Sequence, residues 1–449
     1  MSLPTDVRIA EARVAFEERR LRTPLILSTG PIAAVTQATV AVRVENARGQ
    51  SAAGTGTIYL SDLWSWPDPK RTHAERDAAM QALCVTLAQR LPEIGREPAH
   101  ALDHGVALEH ALHGLVRNVP DAAAPMPFLA ALVCASPFDA AVHDAFGKLL
   151  GRSAYAALAP EFLPRGLEHY LGAAEPLAQG RHLSEFVRRR PHARLNAWHI
   201  VGKADALTHA EFARSGKAPL GDGLPDCVEG WIERLGLACF KLKITGTDNV
   251  FDVKRTVDTF AAVREVHDRQ RTGRNVMLSI DSNEANPDVA SVVDYLERLH
   301  EASPRAYDAL GYVEQPTGRD LKKANADVRP IALRKPVFVD EALTGLELLP
   351  TVRAQGWSGL ALKTCKGQTG ALLCAAWCHL HGMPYTLQDL TNPGAAWIQG
   401  IGLAAHLETL NGVELNAYQY TPAAIGAEPV FRIEQGWHET AELQGVGLA

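Results

Sequence analysis

The sequence predicts an α/β fold, a TIM-like (β/α)-barrel that follows an N-terminal α+β capping domain. The main observation is that a short apolar stretch runs into an ionisable residue five times within residues 240–363. These residues are Lys243, Asp281, Glu314, Asp340 and Lys363. Their intervals are 38, 33, 26 and 23 residues. Because a strand with its crossover helix takes about 30 residues, each interval fits one βα unit.

The segments between these predicted strand ends have helical periodicity. In residues 252–267, Val253, Val257, Phe260 and Val263 share one face, and residues 289–300 repeat the pattern. Such one-sided apolar segments are typical of crossover helices. They complete the alternation of strands and helices that a parallel barrel requires.

The N-terminal third of the chain has a different pattern. Residues 7–60 alternate in the manner of antiparallel strands, and residues 73–158 are rich in Ala and Leu and read as helices. Strands followed by helices indicate an α+β cap. We predict a capping domain at 1–160, a catalytic barrel at 161–420 and a tail at 421–449 that returns to the cap. The glycines Gly54 and Gly56 are interpreted as part of a turn.

Composition narrows the class of protein and of partner. The 449 residues include 51 acidic and 45 basic side chains, and the net charge of −6 argues against a nucleic-acid or anionic-membrane partner. The seven cysteines are scattered without paired metal spacing. We find no cationic leader with an apolar core and no apolar run of 18 residues. We therefore expect a cytoplasmic protein, a homo-oligomer, with a small-molecule partner.

Three of the predicted strand ends carry carboxylates. In a parallel barrel the carboxyl ends of the strands converge on the face that holds the active site. Asp281, Glu314 and Asp340 would meet there, and three carboxylates at an open site suit a hard divalent cation such as Mg²⁺. Each carboxylate alone is an ordinary strand end or helix cap. Their occurrence in three successive units favours a metal site.

Lysines flank the carboxylates on both sides. Lys241 and Lys243 alternate with apolar residues and point to the same side of one strand. We expect like charge to lower the pKa of each, so that one becomes a general base near neutral pH. Lys363 lies on a strand across the barrel and would face the other side of a bound substrate. Lys366, three residues beyond that strand end, competes for this second role.

The motifs resemble those of the mandelate racemase and muconate lactonizing branch of the enolase superfamily. The matching residues are Lys241-x-Lys243, Asp281-x-Asn283, Glu314-x-Pro316, Asp340-Glu341 and the helix-like segment 139–151. The resemblance implies a modified (β/α)-barrel under an α+β cap. It also implies Mg²⁺ on Asp281, Glu314 and Asp340, with Lys243 as the base and Lys241 tuning it. A sixth-strand lysine such as Lys363 is similar to that of the muconate lactonizing subgroup.

The sequence also offers candidates for substrate binding. Asn283, Gln388 and Asp389 occupy strand ends and are candidates for substrate binding. Residues 387–394 lack the seventh-strand pattern of acylamino acid racemases, and residues 416–419 lack the Asp-x-Asp of dipeptide epimerases. We expect cap segments near residues 25–32 and 59–66 to select the substrate, with two tryptophans forming an apolar lid.

The resulting functional hypothesis is Mg²⁺-dependent abstraction of the α-proton of a carboxylate substrate through an enediolate. The simplest outcome is a racemase or epimerase of an amino-acid or hydroxy-acid derivative. A lyase such as an acid dehydratase, or a cycloisomerase of the muconate lactonizing type, uses the same residues, and fold does not separate them. A catalytically silent metal-binding scaffold is the alternative from another class. The presence of all three carboxylates and both candidate bases disfavours it.

Overall fold

The chain begins with a three-stranded antiparallel sheet. The computed structural model describes residues 3–27, 30–117, 125–172, 175–324, 327–422, 432–443 and 445–448. The sheet strands are β1 (Val7–Leu27), β2 (Gly30–Asn46) and β3 (Ser51–Tyr59). β1 and β2 form a long hairpin that stays paired as far as Leu27 and Gly30. Alternate side chains of β2 are buried, as its alternating sequence predicts.

Four helices within the described residues complete the cap. They are α1 (Asp62–Ser65), α2 (His73–Ile94), α3 (Ala101–Val116) and α4 (Phe128–Leu150). α2 begins at a capping box between Thr72 and Glu75. α4 is long and apolar enough to cross a membrane, but 94% of its apolar window is buried inside the protein. It is the central core helix of the cap.

The two glycines of β3 allow that strand to approach α4 closely. A Cβ atom at Gly54 would lie 2.1 Å from the Ala141 carbonyl oxygen, and one at Gly56 would lie 2.0 Å from the Pro137 carbonyl oxygen. The prediction of a turn at Gly54 and Gly56 is therefore wrong. The glycines serve close packing of strand on helix, a contact between residues more than 80 positions apart that local sequence does not reveal.

The second unit is an eight-stranded parallel barrel, preceded by the short strand β4 (Arg194–Asn196). The barrel strands are β5 (Trp198–Val201), β6 (Cys239–Lys243), β7 (Met277–Asp281), β8 (Leu310–Glu314), β9 (Val337–Val339), β10 (Gly359–Lys363), β11 (Tyr385–Gln388) and β12 (Val413–Glu414). They neighbour one another in chain order, and a bridge between Ala197 and Val413 connects the two edges. The predicted fold class is confirmed.

Helices surround the barrel and cover its apolar strands. They are α5 (Leu167–Leu171), α6 (His209–Arg214), α7 (Val228–Leu235), α8 (Asn249–Gln270), α9 (Val289–Ala302), α10 (Pro304–Ala309), α11 (Leu321–Ala324), α12 (Arg329–Ala332), α13 (Leu349–Ala354), α14 (Gln368–His381), α15 (Ala395–Ala405) and α16 (Ala417–Tyr420). The helix predicted at residues 252–267 lies within α8, and Val253, Val263 and Val266 are buried against the barrel.

The C-terminal segment contacts both units. Strands β13 (Ile433–Glu434) and β14 (Trp437–Glu439) form a hairpin that pairs with β4 beside the barrel. Gly447 then exchanges backbone hydrogen bonds with Arg152 and Ala154 just after α4. The last described residues thus reach the cap, while the hairpin before them belongs to the barrel side.

Candidate active site

The predicted site residues meet at the carboxyl end of the barrel. Lys243, Asp281 and Glu314 are the last residues of three adjacent strands and lie side by side in register. Asp340 follows β9 directly, and Lys363 ends β10. All five side chains are buried. The strand order places the three carboxylates between the two lysines.

Lys241 lies one pleat below Lys243 and is surrounded by carboxylates. Its Nζ is 2.7 Å from Glu314 Oε1, 3.1 Å from Asp281 Oδ2 and 3.5 Å from Glu414 Oε2. Burial opposes the charge on Lys241, but attraction to Glu314, Glu414 and Asp281 outweighs it and raises the pKa of Lys241 well above its ordinary value. The expected lowering is wrong for Lys241, because carboxylates are its nearest neighbours.

Lys243 and Lys241 share one carboxylate oxygen. Lys243 Nζ lies 2.6 Å from Asp281 Oδ2 and donates to Asn283 Oδ1 at 3.1 Å. The backbone N–H of Asn283, in left-handed conformation with φ of 47°, donates to Asp281 Oδ1 at 2.7 Å. Burial favours protonation of Asp281, but Lys243 and Lys241 outweigh it and lower its pKa. Asn283 thus orients Asp281 and Lys243 together.

Of the two competing lysines, Lys363 reaches the site cavity. Its Nζ is 3.3 Å from Asp340 Oδ2 and 3.7 Å from Glu314 Oε1, and it donates to Gln388. Lys366 donates to the Asp340 carbonyl oxygen at 2.6 Å and to Asp340 Oδ1 at 3.0 Å. Among the described residues that line the cavity, Lys363 is present and Lys366 is not. Lys366 therefore contacts Asp340 from outside the cavity and fixes its position.

Gln388 and Asp389 are both engaged by other protein groups. Gln388 Nε2 donates to Glu314 Oε2 at 2.6 Å, and its Oε1 accepts from Lys241 at 3.2 Å. Asp389 accepts from the N–H groups of Leu390 and Asn392 at 2.7 and 2.9 Å. Burial raises the pKa of Asp389 to about 6. Asp389 lines the cavity, whereas Gln388 orients charged groups. Substrate binding by either stays a prediction.

Two further carboxylates lie at the site, and the sequence assigned neither of them a role of its own. Glu414 ends β12, lines the cavity and accepts from Asn416 Nδ2 at 3.0 Å. The apolar pattern of residues 413–415 predicts a strand that ends at Asn416, two residues beyond the observed end, although Val413-Glu414 has the same apolar-then-acidic pattern as the strand ends at Asp281, Glu314 and Asp340. Glu341, next to Asp340, accepts from Trp64 Nε1 of the cap at 2.9 Å and from Asn283 Nδ2 at 3.2 Å. Burial raises the pKa of Glu341 to about 8.

A cavity of about 590 Å³, including its opening, lies between these strand ends and the cap. The strand-end side, which we call the floor, carries the charged residues Lys241, Lys243, Asp281, Asp340, Lys363, Asp389 and Glu414. The cap side, which we call the lid, consists of Leu21, Leu25, Ile32, Val35, Tyr59, Ser61 and Trp64. The predicted selecting segments therefore do face the cavity. The Trp64 ring lies 5.7 Å from Lys363 Nζ, within cation–π range.

The floor suits a divalent cation. Glu314 and Glu341 lie next to the floor but are not among the described residues that line the cavity. With them, the buried acidic groups outnumber the nearby ammonium groups, the former being Asp281, Glu314, Asp340, Glu341, Asp389 and Glu414 and the latter Lys241, Lys243, Lys363 and Lys366. In addition, Glu341 Oε2 is buried with no hydrogen-bond partner among the described atoms. Buried carboxylates need compensating positive charge, and oxygen ligands are those that Mg²⁺ prefers.

A family comparison agrees with this geometry. Residues 224–449, half of the chain, match the model of the enolase C-terminal domain-like family. The chain belongs to this family. It is accordingly an enolase-superfamily enzyme, and the resemblance drawn from its motifs is confirmed at that level. Its place in the muconate lactonizing subgroup stays a prediction, and no curated protein matches the chain.

Solved structures share the fold over nearly the whole chain. A dipeptide epimerase from Enterococcus faecalis, complexed with Mg and L-Leu-L-Tyr, aligns with a TM-score of 0.62 and 15% identity over 98% of this chain and 99% of that one. An N-succinyl Arg/Lys racemase from Bacillus cereus gives 0.61 and 18%, covering 98% and 94%. A muconate lactonizing enzyme from Pseudomonas fluorescens, complexed with muconolactone, gives 0.61 and 16%, covering 99% and 96%. At such low sequence identities, these alignments show a shared fold and do not show a shared reaction.

Proposed function

We propose that this protein is a Mg²⁺-dependent enzyme that abstracts the α-proton of a carboxylate substrate, most simply as a racemase or epimerase. The observation that carries the proposal is the order of groups across the floor. Lys243 and Lys363 line the cavity from strands on either side of the three carboxylate-bearing units. Two lysines facing one cavity from opposite sides can remove a proton from one face and return it to the other.

Seven residues at the carboxyl end of the barrel have roles in this scheme: Lys241, Lys243, Asp281, Asn283, Glu314, Asp340 and Lys363. Asp281, Glu314 and Asp340 would hold Mg²⁺, which supplies positive charge that stabilises the enediolate form of the substrate. Lys243 takes the α-proton, and Lys363 delivers or takes it on the opposite face. Lys241 acts on Lys243 through the Asp281 Oδ2 atom that both ammonium groups contact. Asn283 fixes Asp281 and Lys243 in this arrangement.

A lyase or a cycloisomerase would use the same residues. If a leaving group lies β to the carboxylate, the enediolate collapses by elimination, and Lys363 then protonates the leaving group. An unsaturated diacid would give cycloisomerisation instead. A silent scaffold is disfavoured because both candidate bases line the cavity.

The test is α-proton exchange in D₂O, followed by NMR and mass spectrometry, with Mg²⁺ and a library of carboxylates. Exchange with inversion identifies a racemase or epimerase, a loss of 18 Da identifies a dehydratase, and a ring-closed isomer that has gained a solvent deuteron at the α-carbon identifies a cycloisomerase. Absence of every one of these reactions across the library contradicts the proposal.

Lysine variants sharpen the test. General-base catalysis contributes roughly 10²- to 10⁴-fold, so Lys243→Ala should lose at least about a hundredfold in rate. Lys363→Ala should still exchange the α-proton of one enantiomer while failing to invert it. Lys254→Ala is the matched control, because Lys254 is 74% exposed and pairs with Asp258 on α8. Equal activity in all three variants would contradict the assigned roles.

A further inference from the structure

The lid of the cavity carries no charged side chain among the described residues that line it. Leu25 and Ile32 are cross-strand partners near the end of the β1–β2 hairpin, and both face the cavity. Leu21, Val35 and Trp64 extend this apolar surface. The polar groups of the lid are those of Ser61 and Tyr59. Every charged lining group belongs to the floor.

Two arginines flank Leu21 in sequence: Arg20, whose side chain is 87% exposed, and Arg22, which is engaged elsewhere. Arg22 follows Leu21 on β1, but its guanidinium donates to Asp222 Oδ1 at 3.1 Å and to Asp226 Oδ1 at 3.2 Å. Arg22 is absent from the described residues that line the cavity. It therefore offers no counter-charge to a group that lies under the lid.

The two sides of the cavity impose different requirements on one ligand. The carboxylate and α-carbon of the substrate must reach the floor, because the metal ligands and lysines lie there. The remaining groups then lie against the lid. An ionised group buried against leucine and isoleucine side chains loses its hydration without gaining a partner, which is strongly unfavourable. Several hydroxyl groups would likewise exceed the two hydroxyl side chains of the lid, Ser61 and Tyr59, and the third hydroxyl of the lining, that of Thr391, already donates to the Leu390 carbonyl oxygen.

We propose that the substrate is a monocarboxylate whose groups beyond the α-carbon are uncharged and mostly apolar. This inference rests on the proposed function and names the substrate class for the same site. It excludes substrates with a free distal ammonium group, those with a second distal carboxylate and polyhydroxylated sugar acids.

The first experiment compares probes that differ at the distal end. α-Proton exchange in D₂O with Mg²⁺ is measured for N-acetyl-L-leucine, N-succinyl-L-leucine, L-leucyl-L-leucine and gluconate, and for hydroxy acids with matching distal groups. The apolar member of each set should exceed the charged and polyhydroxylated members by at least about tenfold in kcat/KM, since the latter bury unpaired polar groups. Preference for a charged or polyhydroxylated member overturns this inference and leaves the proposed function standing. No exchange with any probe counts against the proposed function itself.

A pair of variants tests the lid directly. Leu25→Lys places an ammonium group under the lid, whereas Ile26→Lys places one on the next residue, which is 41% exposed. Leu25→Lys should lower kcat/KM for the apolar probe by at least about tenfold and shift relative preference toward the N-succinyl probe. Ile26→Lys should change neither value by more than about twofold, because exposed substitutions have small effects. Equal losses in both variants, with both folded by circular dichroism, would overturn the inference.

Discussion

The floor and the lid of the cavity are held in place by different forces. Floor side chains stand at the ends of hydrogen-bonded barrel strands and are bound to one another, as in the 2.6 Å contact between Lys243 and Asp281. The lid is a hairpin and a one-turn helix that face the floor mainly with apolar groups. It is joined to the barrel through polar contacts made by Arg22, Tyr59 and Trp64. Under the proposed function, the barrel would supply the catalytic groups and the cap would select the substrate.

The largest expected effect comes from the floor. Asp281→Asn removes a charge that would otherwise bind Mg²⁺ and two ammonium groups, so we expect Mg²⁺ affinity to fall by at least about tenfold and α-proton exchange by about a thousandfold. Calorimetric titration with Mg²⁺ and the exchange assay measure both. The fold should persist, since the barrel strands do not depend on this carboxylate.

The matched control for this variant is Asp258→Asn. Asp258 lies on α8, 45% exposed, and pairs with Lys254 outside the cavity. Its Mg²⁺ affinity should equal that of the wild type. Unchanged Mg²⁺ affinity in Asp281→Asn would contradict the assignment of the metal site to the floor.

The sequence predicted the floor far better than the lid, for a physical reason. Lys243, Asp281 and Glu314 terminate strands of a repeating βα unit, so their spacing alone brings them into register. Glu414 was not predicted as a strand-end carboxylate, because β12 is only two residues long and its predicted end lies two positions beyond the observed one. The role of Glu341 was not predicted, because it depends on a contact with Trp64 that spans 277 residues.

The lid could be predicted only in outline. The segments near residues 25–32 and 59–66 were expected to face the substrate, and Leu25, Ile32 and Trp64 do line the cavity. How the hairpin is attached could not be predicted, because Arg22 meets Asp222 and Asp226 about 200 residues away. Local patterns give alternation and spacing, whereas tertiary partners of isolated charged residues leave no periodic signal.

A smaller effect on activity is expected from a substitution of Trp64, which joins the lid to the floor. Trp64→Phe keeps an aromatic ring near Lys363 but removes the 2.9 Å hydrogen bond to Glu341. Leaving a buried hydrogen-bonding group without its partner costs about 1–3 kcal/mol, and we expect this to appear as a roughly tenfold or greater fall in kcat. Steady-state kinetics with the best exchanging substrate, together with the melting temperature, measure it.

Trp66→Phe provides the control for Trp64→Phe. Trp66 is also buried in the cap, 4% exposed, but it packs against Arg71 and is absent from the described lining of the cavity. Its kcat should match the wild type even if its melting temperature falls. If both variants lose kcat equally, the indole N–H has no specific role, and the lid contributes apolar surface alone.

The smallest expected effect concerns the Arg22 contacts that hold the hairpin to the barrel. Arg22 is 9% exposed, but Asp222 is 35% exposed, and such partly solvated pairs contribute only about 0–1 kcal/mol. Arg22→Gln should therefore raise KM by no more than about fivefold without changing kcat, because the floor is untouched. In the wild type KM should rise with salt, which screens the pair, and this dependence should weaken in the variant. Arg20→Gln, at a side chain 87% exposed, should keep the wild-type KM and salt dependence. A loss of kcat in Arg22→Gln would instead show that the hairpin positions the catalytic groups, and the division between a catalytic floor and a selecting lid would no longer hold.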